Sequence, residues 1–198
     1  MDMANLSPGK LRILQAVAAL LEDPAGKVTI ARLASKISVT EAAIYRHYRS
    51  KDEIFQALFE YMESHFLTPL NYVQKESTST DKRLQFLFKQ YIEFFHGHPG
   101  LARLMLGQSS AEATGIAEKV QVLNAKLRGQ IALILKWGEA KGHLQPGLMP
   151  EAVAELFYGL IVAAAMAEVF NLPQLTLDTR WHNFATATLR PSVAETAA

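Results

Sequence analysis

Few side chains in this sequence are spaced for bond-making chemistry. There is no cysteine among the 198 residues, which removes thiol nucleophiles, cysteine-held zinc and a disulfide framework. His96 and His98 stand two apart, on different faces of any helix, and this argues against a shared metal ion. Glu151 and Glu155 are at i, i+4, and Glu112 and Glu118 flank a loop; without partners, such carboxylates are ordinarily solvated. No P-loop, dinucleotide glycine pattern, nucleophile elbow or HExxH occurs. An enzyme is not expected, nor is a cofactor or a metal. The side chains that suit a chemistry suit a non-covalent one. Lys27, Thr29, Thr40, Arg46 and Lys51 are hydroxyls and cations of the kind that bind phosphate, and all fall within the first 51 positions.

Two short helical patterns must position them. Thr29 is a good N-cap, and Ile30, Leu33 and Ala34 follow at helical spacing. The pattern stops at Ile37-Ser38-Val39. Thr40 offers a second cap, followed by Ala43, Ile44 and His47. Two helices joined by so short a turn form a helix-turn-helix, whose second helix enters the major groove of double-stranded DNA. Leu33, Ala34, Val39 and Ile44 would fix the crossing of the pair, leaving Glu41, Ala42, Tyr45 and Arg46 on the outer surface. Thr40 can present its hydroxyl and backbone amide to a phosphate, where the helix dipole also favours an anion. Ala42 and Ala43 are short enough to admit the helix deeply, and either methyl can meet a thymine methyl. Arg46 can fork onto guanine or bind phosphate at the groove edge. Lys51 opens a following helix at another phosphate position, and Thr29 with Lys27 does the same for the first helix of the pair.

The string A-x-x-x-S-V-T-x-x-x-I-Y-x-H-Y-x-x-K, from Ala34 to Lys51, resembles the TetR family of DNA-binding regulators. Ser38 stands where that family usually has glycine, at a position that commonly needs positive φ. The resemblance implies that Tyr45, His47 and Tyr48 contact the DNA backbone. The alternative for all three is packing within the small domain, with the phosphate role favoured for Tyr45.

Charge follows the same division. Residues 1–51 hold eight Lys/Arg against four Asp/Glu, a net +4, whereas the whole chain is only +1. A basic footprint therefore lies where the helix-turn-helix lies. The N-terminus MDMANLSPGK lacks the segments of a secretory signal, and the longest apolar run, Leu156 to Ala167, is well short of the roughly 20 residues of a spanning helix. The expectation is a soluble cytoplasmic, nucleoid-associated protein with no membrane partner.

The rest of the chain reads as helices broken by turn chemistry, giving an all-α fold of about nine helices. Residues 1–51 form a DNA-binding domain, 52–190 a helical dimerisation and effector domain, and 191–198 a frayed tail. A helix follows Ser7-Pro8-Gly9 and ends at Asp23-Pro24-Ala25-Gly26. Ser50 caps a fourth helix, which Pro69 can kink or end. After a polar stretch at 75–81, helices are expected near 82–96, 101–106, 116–141, 150–170 and 177–189, with a small-residue connector at 107–115. The stripe Phe86, Phe88, Tyr91, Phe94 and Phe95 can line a ligand cavity, though aromatics at this spacing are more often core.

The helix near 150–170 is apolar nearly all round, so it is buried inside a domain or between two chains. The resemblance implies that the last two helices form a four-helix interface in a homodimer. Leu156, Gly159, Leu160, Ala163, Ala167, Phe170, Trp181 and Phe184 are the residues expected there. Two functions remain open. One is a repressor on a near-palindromic site, its affinity set by a small apolar effector that tilts the fourth helix. The other rests on EAAIYRHYRSKDEIF, HPGLARLMLG and DTRW, which resemble the nucleoid-occlusion branch of the same family. That branch binds scattered chromosomal sites and restrains the tubulin-like division GTPase.

Overall fold

A computed structural model describes residues 6–23, 26–76, 79–108 and 115–190. Pro24, Ala25, most of the 107–115 connector with Glu112, and the 191–198 tail lie outside the described residues. Among the described residues the fold is all-α: α1 (Pro8–Leu20), α2 (Ile30–Lys36), α3 (Glu41–Tyr45), α4 (Lys51–Glu76), α5 (Thr80–Gly97), α6 (Pro99–Met105), α7 (Ile116–Ala140), α8 (Pro150–Phe170) and α9 (Leu177–Thr188). No strand is present among them; one antiparallel bridge joins Leu144 to Leu189. Hydroxyls start several helices. Ser7, Thr29, Thr40 and Thr176 each accept the backbone N–H three residues on. Pro69 neither ends nor interrupts α4, which continues to Glu76.

The described residues divide into two compact units, and the division does not fall at residue 51. The first unit holds the residues up to His65 together with Phe95–Asn124, so α6 and part of α4 belong with the helix-turn-helix. Gly100 shows why α6 does. A Cβ at this position would overlap the backbone carbonyl of Ala18 and lie 2.8 Å from the amide nitrogen of Glu22, so only glycine lets α6 come this close to α1. Leu101, Ala102 and Leu104 are then buried, as are Ile13, Leu14, Val17 and Leu21.

The second unit comprises Phe66–Phe94 and the residues from Ala125 onward. Its core is aromatic. Phe66 stacks on Tyr91 at 4.4 Å between ring centroids and meets Phe94 edge-on at 4.8 Å. Phe157 of α8 lies 5.3 Å from Phe184 and 6.1 Å from Phe88. Phe88, Tyr91 and Phe94 are packed against other rings and, like Phe95, almost fully buried, so these four are core, while Phe86 is half-buried.

Helix α8 corrects two expectations. It is 21 residues long and its most apolar 18-residue stretch has a mean hydropathy of 1.8, enough to cross a membrane by length and composition alone, whereas the run Leu156–Ala167 suggested that no helix could. It is not buried all round either: only 33% of its most apolar stretch is covered. Val153, Phe157, Ile161 and Ala164 face inward, while Leu156 is 59% exposed and Phe170 48%. Glu151 and Glu155 are exposed as expected, but they pair with Lys136 (3.2 Å) and Arg128 (3.9 Å) of α7.

Where α5 begins, Thr80 is buried and its hydroxyl shares a hydrogen bond with Nδ1 of His143 at 3.0 Å. Gly138 leaves room for it: a Cβ there would sit 2.5 Å from the Thr80 hydroxyl and 2.9 Å from its methyl. Two backbone bonds, Gln145 N–H to the Thr188 carbonyl (3.0 Å) and Arg190 N–H to the His143 carbonyl (2.9 Å), tie the end of α9 to the same place. Gly138→Ala overpacks this junction. The expected cost is about 1–3 kcal/mol, read as a lower urea midpoint at unchanged slope; an unchanged midpoint would mean that the junction yields freely.

Candidate nucleic-acid interface

The turn between α2 and α3 is built by the backbone. Ser38 has φ of +55°, the left-handed conformation expected of glycine at this position. Two hydrogen bonds close the end of α2: Ser38 N–H to the Ser35 carbonyl at 3.2 Å, and Val39 N–H to the Ala34 carbonyl at 2.9 Å. This is a Schellman closure with a serine at the left-handed position. The carbonyl of Ile37 accepts a 2.7 Å bond from the guanidinium of Arg12 on α1. A charged donor makes a stronger hydrogen bond than a neutral one, so α1 clamps the turn from outside.

Helix α3 leaves this turn with Ile44 buried beneath it. Thr40, Glu41, Ala42, Tyr45 and Arg46 are exposed, and Ala43 is half-buried. The Thr40 oxygen accepts the N–H of Ala43 at 3.2 Å and that of Thr29 accepts the N–H of Arg32 at 3.2 Å. Each hydroxyl proton remains available to donate to an anion. Lys27 and Thr29 are exposed and Lys51 half-buried. At the start of α4, Ser50 accepts the N–H of Glu53 at 3.1 Å and Glu53 reaches back to the N–H of Arg49 at 2.6 Å. This reciprocal pair is a variant of the capping box.

Two of the aromatic residues expected at the DNA backbone are placed differently. Tyr48 is only 2% exposed, so it is removed from the contact set. Its ring lies under the Lys10 ammonium at 5.2 Å, and its buried hydroxyl has no partner among the described residues. Burial, aided by the nearby Glu53 and Glu60, raises the phenol pKa to about 12. His47 is half-buried, and its imidazole occupies the space over Gly9: a Cβ at Gly9 would lie 2.5 Å from its Nε2. Its packing role is clear. Tyr45, 49% exposed, keeps the outward position.

The self-association residues divide as well. Leu156, Gly159, Ala163 and Phe170 are exposed, and Leu160 is half-buried. Ala167, Trp181 and Phe184 are interior, and this corrects their assignment to an interface. Trp181 lies 5.7 Å from Phe184 and 6.2 Å from Phe88, inside the aromatic core. The exposed set is joined by Ala152 and Met166, so the outer face of α8 reads 152, 156, 159, 163, 166, 170. Steps alternating between four and three make one apolar stripe with small residues at its centre.

Sequence reading missed Arg12 and Glu53. The S-x-x-E pattern at Ser50 and Glu53 was the available signal for the second. Arg12 had none, because its partner is a main-chain carbonyl 25 residues away.

Comparison with known proteins agrees with this architecture. The profile of the family "Bacterial regulatory proteins, tetR family" matches residues 13–58. The nucleoid occlusion factor SlmA of Shewanella denitrificans is 31% identical over 175 residues, covering 85% of this chain and 89% of its own. In fold, the chain is similar to the transcriptional regulator FadR of Bacillus subtilis, solved with stearoyl-CoA (TM-score 0.71, 16% identity, 89% of this chain and 95% of that one). A TetR transcription regulator from Haloarcula marismortui gives TM-score 0.71 at 21% identity, covering 93% and 100%.

The strained turn makes a prediction. A side chain in the left-handed region costs roughly 1–2 kcal/mol, partly offset by the greater chain entropy that glycine loses on folding. Ser38→Gly should therefore stabilise the protein by about 0.5–1 kcal/mol in chemical denaturation. A destabilised variant would show that the serine side chain supports the turn.

Proposed function

This chain belongs to the tetR family of bacterial regulatory proteins and is a DNA-binding regulator of that type; from that premise we propose how it binds and what it serves. It acts as a homodimer on a near-palindromic site, each α3 entering the major groove and the two lying about 34 Å apart, one turn of DNA. The observation that carries this reading is the single exposed row Thr40, Glu41, Ala42, Tyr45 and Arg46, raised on a helix whose other side is buried through Ile44. Thr29, Thr40, Lys27 and Lys51 hold phosphates and set the register; Arg46, Ala42 and Ala43 read base edges. Glu41 accepts from a cytosine amine or rejects wrong sequences by its charge. The outer stripe of α8 joins the two copies, and the complex resides at the nucleoid in the cytoplasm.

A second reading is favoured by one observation. The likeness to the nucleoid occlusion factor runs over 85% of the chain, far beyond the DNA-binding helices. On that reading the protein occupies many chromosomal sites and restrains the tubulin-like division GTPase. Mapping bound DNA across the genome separates the two. One peak beside an operon supports local repression; dozens of peaks sharing one palindrome support nucleoid occlusion.

Arg46→Ala should lower affinity for the mapped site and relax its sequence preference, by about 1–3 kcal/mol of discrimination. Equal weakening on specific and random DNA would remove Arg46 from the base readers. Lys51→Ala should weaken all sequences alike and reduce the slope of log affinity against log salt by about one unit. For the dimer, Leu156→Glu places a charge in the exposed stripe without disturbing the core. Sedimentation should then show a monomer where the parent chain is a dimer, and a variant that still dimerises would rule out this face.

A further inference from the structure

The peptide unit between Ile37 and Ser38 is held at both ends. Its N–H, from Ser38, donates to the Ser35 carbonyl at 3.2 Å, and its C=O, from Ile37, accepts the guanidinium of Arg12 at 2.7 Å. The torsions on either side of that plane are ψ of Ile37, at 12°, and φ of Ser38, at +55°. Rotating the plane changes both. A rotation that carries Ser38 out of the left-handed region relieves a side chain that this region disfavours. The direction in which the chain enters α3, capped two residues on at Thr40, changes with it. Glycine would need less restraint, because it adopts positive φ at little cost. With serine in the turn, something must hold the plane.

Arg12 meets that need from outside the helix pair. Its neighbours in α1, Ile13 and Leu14, are buried, so its main chain is fixed to the core of the first unit. Its acceptor lies 25 residues away in sequence, and a bond from a charged donor is stronger than the neutral amide bonds beside it. The contacts with DNA differ in how strongly they feel the angle of α3. A paired hydrogen bond to a base edge demands one orientation of the helix, whereas phosphate contacts are spread along the backbone and carry no sequence information. We propose that Arg12 is a positioning residue for base reading: it locks the Ile37–Ser38 peptide plane and thereby sets the sequence selectivity of α3. The proposal deepens the DNA-binding reading and rests on it.

The test compares the parent chain, Arg12→Ala, Ser38→Gly and the double variant on the mapped site and on a random duplex at one salt concentration. Arg12→Ala should lower the ratio of specific to random affinity at least about fivefold, since part of the population no longer presents α3 correctly. Adding Ser38→Gly should recover most of that loss, because glycine accepts positive φ without the clamp. A lost phosphate contact would not be recovered in this way. In amide hydrogen exchange, protection of the Ser38 and Val39 amides should fall about tenfold in Arg12→Ala. Arg12→Met, which keeps the apolar stem, takes the place of Arg12→Ala if circular dichroism shows that variant unfolded. An unchanged ratio, or a loss that Ser38→Gly leaves in place, would overturn the positioning role. So would an equal loss on both DNAs with a salt slope lower by about one unit, which would make Arg12 a phosphate ligand. If no preferred DNA site is found at all, the regulator reading has failed and the selectivity role goes with it; the exchange of Ser38 and Val39 still decides whether Arg12 holds the turn.

Discussion

Between Lys36 and Thr40 the backbone reverses through one residue in the left-handed region, and the position of every outward side chain of α3 follows from that reversal. Ser38 adopts φ of +55° without the freedom of glycine, held by the two amide-to-carbonyl bonds that close α2 and by the guanidinium of Arg12 on the Ile37 carbonyl. The local cost of a left-handed side chain, roughly 1–2 kcal/mol, is tolerated because these bonds and the burial of Leu33, Ala34 and Ile44 outweigh it. The consequence is directional. With Ile44 under the helix, Ala42, Tyr45 and Arg46 point to solvent as a set.

The second unit solves a different problem with one helix. The inner face of α8 places Phe157 among Phe88 and Phe184, and Val153, Ile161 and Ala164 complete the contact with the core. Its outer face carries Leu156, Gly159, Ala163 and Phe170 into water. Mean composition cannot separate these faces, since both are apolar; only packing can. This exposed apolar face is the one through which we propose that two copies join.

Much of this was legible before any coordinates. Caps at Ser7, Thr29 and Thr40 could be read from residue type, because an N-cap is a local interaction within three residues. The left-handed turn was expected from the resemblance, which has glycine at this position, and Ser38 departs from glycine in identity but not in conformation. What failed was non-local. Tyr48 and Tyr45 are the same residue type three positions apart, and which one enters the core depends on Lys10 and the neighbouring helices. Trp181 and Phe184 looked like interface anchors because large aromatics serve both roles; the facing Phe88 decided between them.

Two arginines of the first unit are already bound to the main chain. Arg12 donates to the carbonyl of Ile37 at 2.7 Å, and Arg32 donates to that of Lys27 at 2.9 Å. A free arginine side chain has about 2 kcal/mol of rotamer entropy, much of which is lost when it is immobilised. Here that loss occurs on folding. Each guanidinium uses one N–H on the protein and keeps further donors in a plane fixed before any anion arrives. An anionic surface meeting them would therefore order little that is not already ordered, and such pre-organised contacts gain affinity by avoiding entropy loss at the moment of association.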